Sequence, residues 1–203
     1  MIKGNYVAVS YAEPFIDIIS IKTGKVYATI STSKQTFGMT VQSGQLYVCT
    51  DQNKINVLDL HGTIIRSFRC PSSKIQYIAS DTDSLFFPGH MALYCYNLYG
   101  TVKWQFSYDQ MRGSLGDMRR LCGVAADGNG NVFVTYTECH KVLFVSTDGM
   151  DYREVLTRKD GLERPTAVSF DKLNKSLLVC NERDGNAFIY DIKDLTKGSL
   201  KGH

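Results

Sequence analysis

The stretch that decides the fold is TFGMTVQSGQLYVCTDQNKINVLDLHGTIIRSFRCP, from Thr36 to Pro71. Turn residues such as Ser43-Gly44 and His61-Gly62 divide it into short runs in which apolar residues alternate or cluster. This pattern predicts four successive strands at Phe37–Val41, Leu46–Cys49, Ile55–Leu60 and Ile64–Phe68. Four short antiparallel strands bury little apolar surface alone, so we expect this sheet to pack against similar neighbours.

A glycine after the third strand of this stretch recurs along the chain. It stands in IKTGK, DLHGT, NLYGT and STDGM, as Gly24, Gly62, Gly100 and Gly149. The intervals from 24 to 62 and from 62 to 100 are 38 residues each, and the third, of 49, carries an inserted loop. This period, with strand-like runs inside each unit, is typical of β-propellers.

Each of the last three glycines also follows a short polar residue by three places. These residues are Asp59, Asn97 and Ser146. We predict that their side chains accept hydrogen bonds from the backbone of the turn, while the glycine takes a positive φ.

The same pattern divides the chain into five units, approximately 1–35, 36–73, 74–120, 121–164 and 165–203. Outside the opening stretch the predicted strands are Tyr6–Ser10, Phe15–Ile21, Val26–Ile30, Ile75–Ser80, Leu85–Phe87, Leu93–Tyr96, Val102–Phe106, Cys122–Ala126, Val132–Tyr136, Val142–Val145, Arg153–Leu156, Ala167–Phe170, Leu177–Cys180 and Phe188–Ile192. The first unit lacks an innermost strand and the last lacks an outer one. We therefore expect a single all-β propeller domain of about five blades with an incomplete ring, a fragment of a larger propeller.

Composition narrows the class of protein. The chain has 203 residues, of which 43% are hydrophobic and 21% charged, as in ordinary globular domains. A net charge of +3 is too small to indicate a nucleic-acid partner by itself. No apolar run is long enough to cross a membrane, and MIKGNYVAVSY lacks the pattern of a signal peptide, so we expect a cytoplasmic protein. None of the six cysteines forms a C-x-x-C pair, which favours reduced thiols and no metal or other cofactor.

The segment LYVCTDQNKINVLDLHG, from Leu46 to Gly62, resembles the NHL repeat, which typically combines an apolar-Tyr-Val strand, an aspartate, an Asn-x-Arg-Ile strand and a closing Asp-x-x-Gly turn. The matching positions are Asp51, Ile55, Asp59 and Gly62. Asn53-Lys54 departs from the pattern, because it lies one place early and has lysine for arginine. KDGLERPTAVSFDKLNKSLLVCN, from Lys159 to Asn181, looks like a junction between two NHL blades, with a proline before the inner strand.

The GLERPTAV junction in particular is similar to the C-terminal propellers of TRIM-type ubiquitin ligases, and this resemblance implies a platform that selects a protein target. In such ligases zinc-binding RING and B-box segments are responsible for catalysis, and this chain contains no comparable cysteine-histidine cluster. We therefore expect a non-enzymatic chain with protein partners, no membrane and no small-molecule substrate. RNA binding by the same face is the alternative, and a calcium-dependent, lactonase-like hydrolase is third.

Binding residues are expected on the face formed by the turns between second and third strands and by the connections between units. The candidates are Tyr108, Arg112, Arg119, Arg120, Lys141 and Arg158. Guanidinium groups suit acidic peptides or phosphates, and a tyrosine can stack a base. The ten cations of this face are opposed by eight anions, however, which favours local ion pairs over a funnel for a polyanion.

Other residues have structural interpretations that we favour. Asp127, Asp171 and Asn181 are the nearest candidates for calcium ligands, but each stands where turn formers are common. His140, in a turn between a second and a third strand, is expected to be polar surface. Trp104 is expected to pack in the core or between two units.

Overall fold

The computed structural model describes residues 5–73, 75–89, 92–107 and 121–192. The chain divides into two compact units, Met1–Ile78 and Ala79–His203. Strands dominate both units, and neighbouring strands within each sheet are also successive in the chain. All pairings between them are antiparallel.

The first unit contains two sheets. The strands are β1 (Tyr6–Ser10), β2 (Phe15–Ser20), β3 (Val26–Ser31), β4 (Thr36–Gln42), β5 (Gln45–Thr50), β6 (Lys54–Leu58) and β7 (Ile64–Arg69). Sheet 1 has the order β1-β2-β3, and sheet 2 has the order β4-β5-β6-β7. Ile16, Ile18 and Ile30 of sheet 1 pack with Leu46 and its neighbours in sheet 2 to form the core between them.

The described part of the second unit forms three sheets. The strands are β8 (Ala79–Asp81), β9 (Ser84–Pro88), β10 (Ala92–Asn97), β11 (Val102–Ser107), β12 (Leu121–Ala126), β13 (Val132–Tyr136), β14 (Lys141–Val145), β15 (Tyr152–Leu156), β16 (Pro165–Asp171), β17 (Ser176–Asn181) and β18 (Ala187–Asp191). Sheet 3 comprises β8 to β11, sheet 4 comprises β12 to β15, and sheet 5 comprises β16 to β18. Among the described residues of this unit, the single-turn 3₁₀ helices Thr137–Cys139 and Arg158–Asp160 follow β13 and β15.

The predicted strands are confirmed, with one correction. The run Ile75–Ser80 was expected to be a strand, but β8 begins only at Ala79. The backbone before it is engaged by the preceding sheet, since the Ile75 carbonyl accepts the Gly38 N–H at 2.8 Å. That carbonyl is therefore used in a contact between segments rather than in the ladder of sheet 3.

Sheet 1 lacks a first strand among the described residues, as predicted. Ser10, at the end of β1, donates its hydroxyl to the Phe37 carbonyl in β4 at 2.6 Å. Thr137, just after β13, makes the same contact with the Pro165 carbonyl in β16 at 2.8 Å. Because β13 is the second strand of its sheet, β1 corresponds to a second strand as well.

The turns before the fourth strands also follow the prediction. Asp59 Oδ1 accepts the backbone N–H groups of His61 and Thr63, both at 2.9 Å. Asn97 makes the equivalent pair of bonds at the same distance. Gly62, like the other three repeat glycines, has a positive φ, here 91°. The conformation of this turn is thus determined by residues within the turn itself, through the Asp59 side chain and the backbone of Gly62.

Two of the repeat glycines, Gly62 and Gly149, also contact a side chain of the preceding sheet. Ile30 of β3 packs over Gly62, and the Trp104 ring of β11 packs over Gly149. The Trp104 indole N–H also donates to the Thr147 carbonyl at 2.8 Å. Trp104 therefore packs between two sheets, as the sequence predicts.

All six cysteines are free thiols, four of them buried and two half-buried. Burial raises the pKa of the Cys70 and Cys95 thiols to about 11, which keeps both protonated at neutral pH. Among the described residues, no helix has the length and apolar character needed to cross a membrane.

Candidate functional site

Three segments of the predicted binding face meet between sheets 4 and 5. They are the turn after β13, the connection from β15 to β16, and the turn after β17. We call the side chains that meet there the junction cluster, which consists of Glu138, His140, Arg158, Glu163, Arg164 and Glu182. Two of the predicted binding residues belong to these segments, Arg158 within the cluster and Lys141 beside it.

The connection between the two sheets is held in one conformation by its own hydrogen bonds. Thr157 and Asp160 form a capping box, in which Asp160 Oδ2 accepts the Thr157 N–H at 2.8 Å. Tyr190 of β18 donates its hydroxyl to the Asp160 carbonyl at 2.6 Å. Asn181 Oδ1 accepts the Glu163 N–H at 3.0 Å. Side chains on the connection are therefore presented from fixed backbone positions.

His140 contacts both arginines of the cluster. Its Nδ1 accepts the backbone N–H of Arg164 at 3.0 Å, and its Nε2 lies 2.6 Å from Arg158 Nη2. Burial and the positive charge of Arg158 lower the pKa of His140, and only Glu163 opposes them. The ring is thus neutral at physiological pH, and it is a structural element of the face rather than the polar surface that the sequence suggested.

The arginines of the cluster are paired with carboxylates. Arg164 lies between two of them, with Nε 2.8 Å from Glu182 and Nη2 3.4 Å from Glu138. Arg158 Nη2 lies 3.5 Å from Glu163, and 64% of the Arg158 side chain remains exposed. The structure therefore gives this part of the face the local ion pairs that the charge count favoured.

Lys141 is paired with a carboxylate that does not belong to the cluster. Its Nζ lies 2.7 Å from Glu154 on the neighbouring strand β15. Both partners are about one-third exposed, so a ligand could reach them only by competing with the pair. The other predicted binding residues, Tyr108, Arg112, Arg119 and Arg120, lie outside the described residues.

Asp127 and Asp171, two of the three candidate calcium ligands, form turns, and the third, Asn181, accepts the Glu163 N–H of the connection between β15 and β16. Asp127 Oδ1 accepts the N–H groups of Asn129 and Asn131, at 2.8 and 3.1 Å. Asp171 accepts two N–H groups of its own turn, and these bonds lower its pKa. Within residues 5–73, 75–89, 92–107 and 121–192, no three His, Cys, Asp or Glu side chains are grouped as a metal site.

A polar cavity of about 360 Å³ lies elsewhere in the second unit, and sequence reasoning missed it. It is bordered by the first turn of sheet 3, the first turn of sheet 4 and the last turn of sheet 4. Asp81 in its wall is 5% exposed and accepts the backbone N–H groups of Thr82 and Gly130. Lys103 is likewise bound to Asp83 and Ser84. These polar groups of the cavity wall are therefore hydrogen-bonded to one another.

Comparisons with known proteins support the fold. The chain is similar to the crystal structure of the β-propeller domain of Cps50 (Swd1) from Myceliophteria thermophila, with a TM-score of 0.66 and 11% sequence identity. The match covers 93% of this chain and 79% of that one. No protein-family profile matches the chain, and no curated protein matches it. Together with the five antiparallel sheets, the structural match confirms the predicted β-propeller fold.

Proposed function

We propose that the chain is a non-enzymatic interaction platform that binds a protein partner through the face containing the junction cluster. A propeller presents loops from a rigid scaffold, and this architecture is suited to protein interaction. The finer proposal, target recognition for a TRIM-type ubiquitin ligase, is supported by the resemblance of residues 46–62 and 159–181 to NHL repeats.

The observation that carries the proposal is the mixed charge of the face. Arg164 is neutralised by Glu138 and Glu182, and Arg158 faces Glu163. A surface of alternating sign matches the mixed charge of a protein surface, and it sets the orientation of such a partner.

RNA binding is the weaker candidate for the same reason. Binding to a polyanion depends on cations that are free to neutralise phosphates. Arg158 and Lys141, two of the six predicted contacts, already have carboxylate partners at 3.5 and 2.7 Å. An RNA would have to displace those carboxylates and leave them close to its phosphates.

Affinity capture from cell extract, with and without RNase, tests the proposal. We would compare the wild-type chain with an Arg158→Glu variant and with an Arg112→Ala/Arg119→Ala/Arg120→Ala variant. The matched control is Lys22→Glu, a charge reversal in the exposed turn between β2 and β3. Thermal unfolding of every variant would show whether the fold is retained.

We expect defined proteins to be captured despite RNase, to be lost with at least one face variant and to be kept by Lys22→Glu. Capture that RNase abolishes would instead favour the RNA alternative. Capture that neither face variant weakens would place the binding site elsewhere and contradict the proposed face. A well-folded chain that captures no defined partner would contradict the platform itself.

A further inference from the structure

The outer strand of sheet 1 differs from the last strand of every other sheet. Its sequence, VYATIS, contains no charged residue. The fourth strands of sheets 2, 3 and 4 carry Arg66 and Arg69 in β7, Lys103 in β11, and Arg153 and Glu154 in β15, and β18, the last described strand of sheet 5, carries Asp191. Charged side chains on a sheet edge are a common means by which proteins prevent pairing with another strand. β3 lacks this protection.

β3 also presents apolar side chains to solvent at an open edge. Four of its first five residues are exposed, including Val26 at 53% and Tyr27 at 71%. One edge of β3 pairs with β2, and no described strand pairs with the other edge. The Tyr27 ring is oriented by the Tyr6 ring, whose centroid lies 4.9 Å away. An ordered, uncharged strand with free backbone donors and acceptors can be extended by a further strand.

We propose that β3 pairs antiparallel with β3 of a second copy of this chain, joining two copies of sheet 1 into one continuous sheet. Two-fold symmetry places the same strand on both sides of the interface. A charged strand would then face its own charges, whereas β3 places valine, tyrosine, alanine and threonine against one another. Such aromatic and β-branched cross-strand pairs are stabilising, and like charges opposite one another are not.

The two-fold axis makes the pair antiparallel, because it reverses the strand across the interface. The cations next to β3 are Lys22 and Lys25, just before the strand, and Lys34, three residues after it. A parallel pair would gather Lys22 and Lys25 of both copies at one end. The antiparallel pair instead divides the six lysines equally between the two ends, about 20 Å apart for six residues. That distance exceeds the screening length of about 8 Å at physiological salt, so repulsion between the two ends is small.

Sedimentation velocity over a concentration series tests the pairing, with Val26→Lys and Tyr27→Lys as the disrupting variants. The matched control is Val102→Lys, since Val102 is the first residue of β11, as Val26 is of β3, and is 50% exposed. We expect the wild type and Val102→Lys to form a dimer as concentration rises. Each β3 variant should weaken association by about tenfold or more, or about 1.4 kcal/mol, and should show a cooperative thermal transition at dilutions where the wild type is also monomeric.

Hydrogen exchange at low and high protein concentration locates the interface. We expect amides of residues 26–31 to become more protected in the dimer, while amides of β11 do not change. A wild-type chain that stays monomeric would overturn the proposal. A dimer that is unaffected by Val26→Lys and Tyr27→Lys, or equally weakened by Val102→Lys, would also overturn it. Binding of β3 to a strand of another protein, without self-association, would overturn the choice of a second copy.

Discussion

His140 Nδ1 accepts the backbone N–H of Arg164 at 3.0 Å, and both residues adopt a left-handed backbone conformation, with φ of 56° and 52°. Such conformations are uncommon for residues other than glycine, and the surrounding contacts must maintain them. Here each residue supports the other across the junction between sheets 4 and 5. The bond requires an unprotonated Nδ1, so the stability of the junction is linked to pH.

We therefore expect stability to fall with pH partly through His140. The pKa of His140 is lowered in the folded chain from its usual 6.5, so the unfolded chain binds a proton more readily. The contribution of the neutral ring is complete above pH 6.5 and is lost as the pH falls from there towards the folded-state pKa. The charges around the ring are those of Arg158, Glu163, Arg164 and Arg183. Urea unfolding between pH 5 and 8 measures the slope.

The His140→Asn variant isolates this contribution, because asparagine tolerates the left-handed conformation but does not titrate. Its stability should depend less steeply on pH than that of the wild type, by up to about one proton. His61→Asn is the control, since His61 lies in an exposed turn. Equal slopes for the wild type and His140→Asn would contradict the prediction.

Trp104 and Gly149 offer a second test, because Trp104 is the only tryptophan of the chain and its fluorescence reports on the contact. A Cβ at Gly149 would lie 2.7 Å from the ring, and Gly149 has a φ of 72°. We expect Gly149→Ala to push the ring towards solvent and shift its emission to the red. The variant should also lose about 2–3 kcal/mol of stability through overpacking and backbone strain.

Gly24→Ala is the control for this variant, because Gly24 occupies the same turn of the repeat. Its φ of 66° is similar, but nothing lies within 4 Å of an added Cβ. Gly24→Ala should lose about 1 kcal/mol of stability through backbone strain alone, and the emission of Trp104 should not change. The predicted contact would be wrong if Gly149→Ala left the emission of Trp104 where it is in the wild type.

Asp81 is a third residue whose substitution should lower the stability of the chain. Its carboxylate satisfies the backbone N–H groups of Thr82 and Gly130, at 2.8 and 3.0 Å, in a site that is 5% exposed. Asp81→Ala leaves both donors without their acceptor, which should cost about 2–3 kcal/mol in chemical unfolding. Asp83→Ala is the neighbouring control, because that side chain is 75% exposed and its ion pair with Lys103 is screened by water. Equal losses in the two variants would show that the backbone bonds of Asp81 contribute little.

A structural feature could be predicted from the sequence when the residues that form it lie close together in the chain, and not when they lie far apart. The turn at Asp59 and Gly62 could be predicted because its hydrogen bonds form within five residues of the chain. The contact between His140 and Arg164 could not, since it joins residues 24 apart whose turns meet only through the packing of sheets 4 and 5. The neutralisation of Arg158 was foreseen as a charge balance, but its partner Glu163 could not be identified by counting.

Two glycines inside strands were also missed for this reason. Gly38 and Gly123 lie in β4 and β12, the first strands of sheets 2 and 4, next to irregularities in strand register. In the sequence a glycine within a strand indicates only a possible bulge. The structure shows that backbone from the next segment approaches each one. A Cβ at Gly38 would lie 2.8 Å from Gln76, and a Cβ at Gly123 would lie 2.7 Å from the Thr166 carbonyl oxygen.

We accordingly expect Gly38→Ala and Gly123→Ala to be among the most destabilising substitutions in the chain. Backbone cannot rotate away as a side chain can, so adjacent segments must separate, at a cost of about 3 kcal/mol. Gly44→Ala and Gly185→Ala are matched controls in the same two units, since nothing lies within 4 Å of either added Cβ. Because both controls have positive φ, they should lose about 1 kcal/mol from backbone strain alone. If thermal unfolding ranked the controls as equal to Gly38→Ala and Gly123→Ala, the close backbone approach at the first strands would not limit the packing of these sheets.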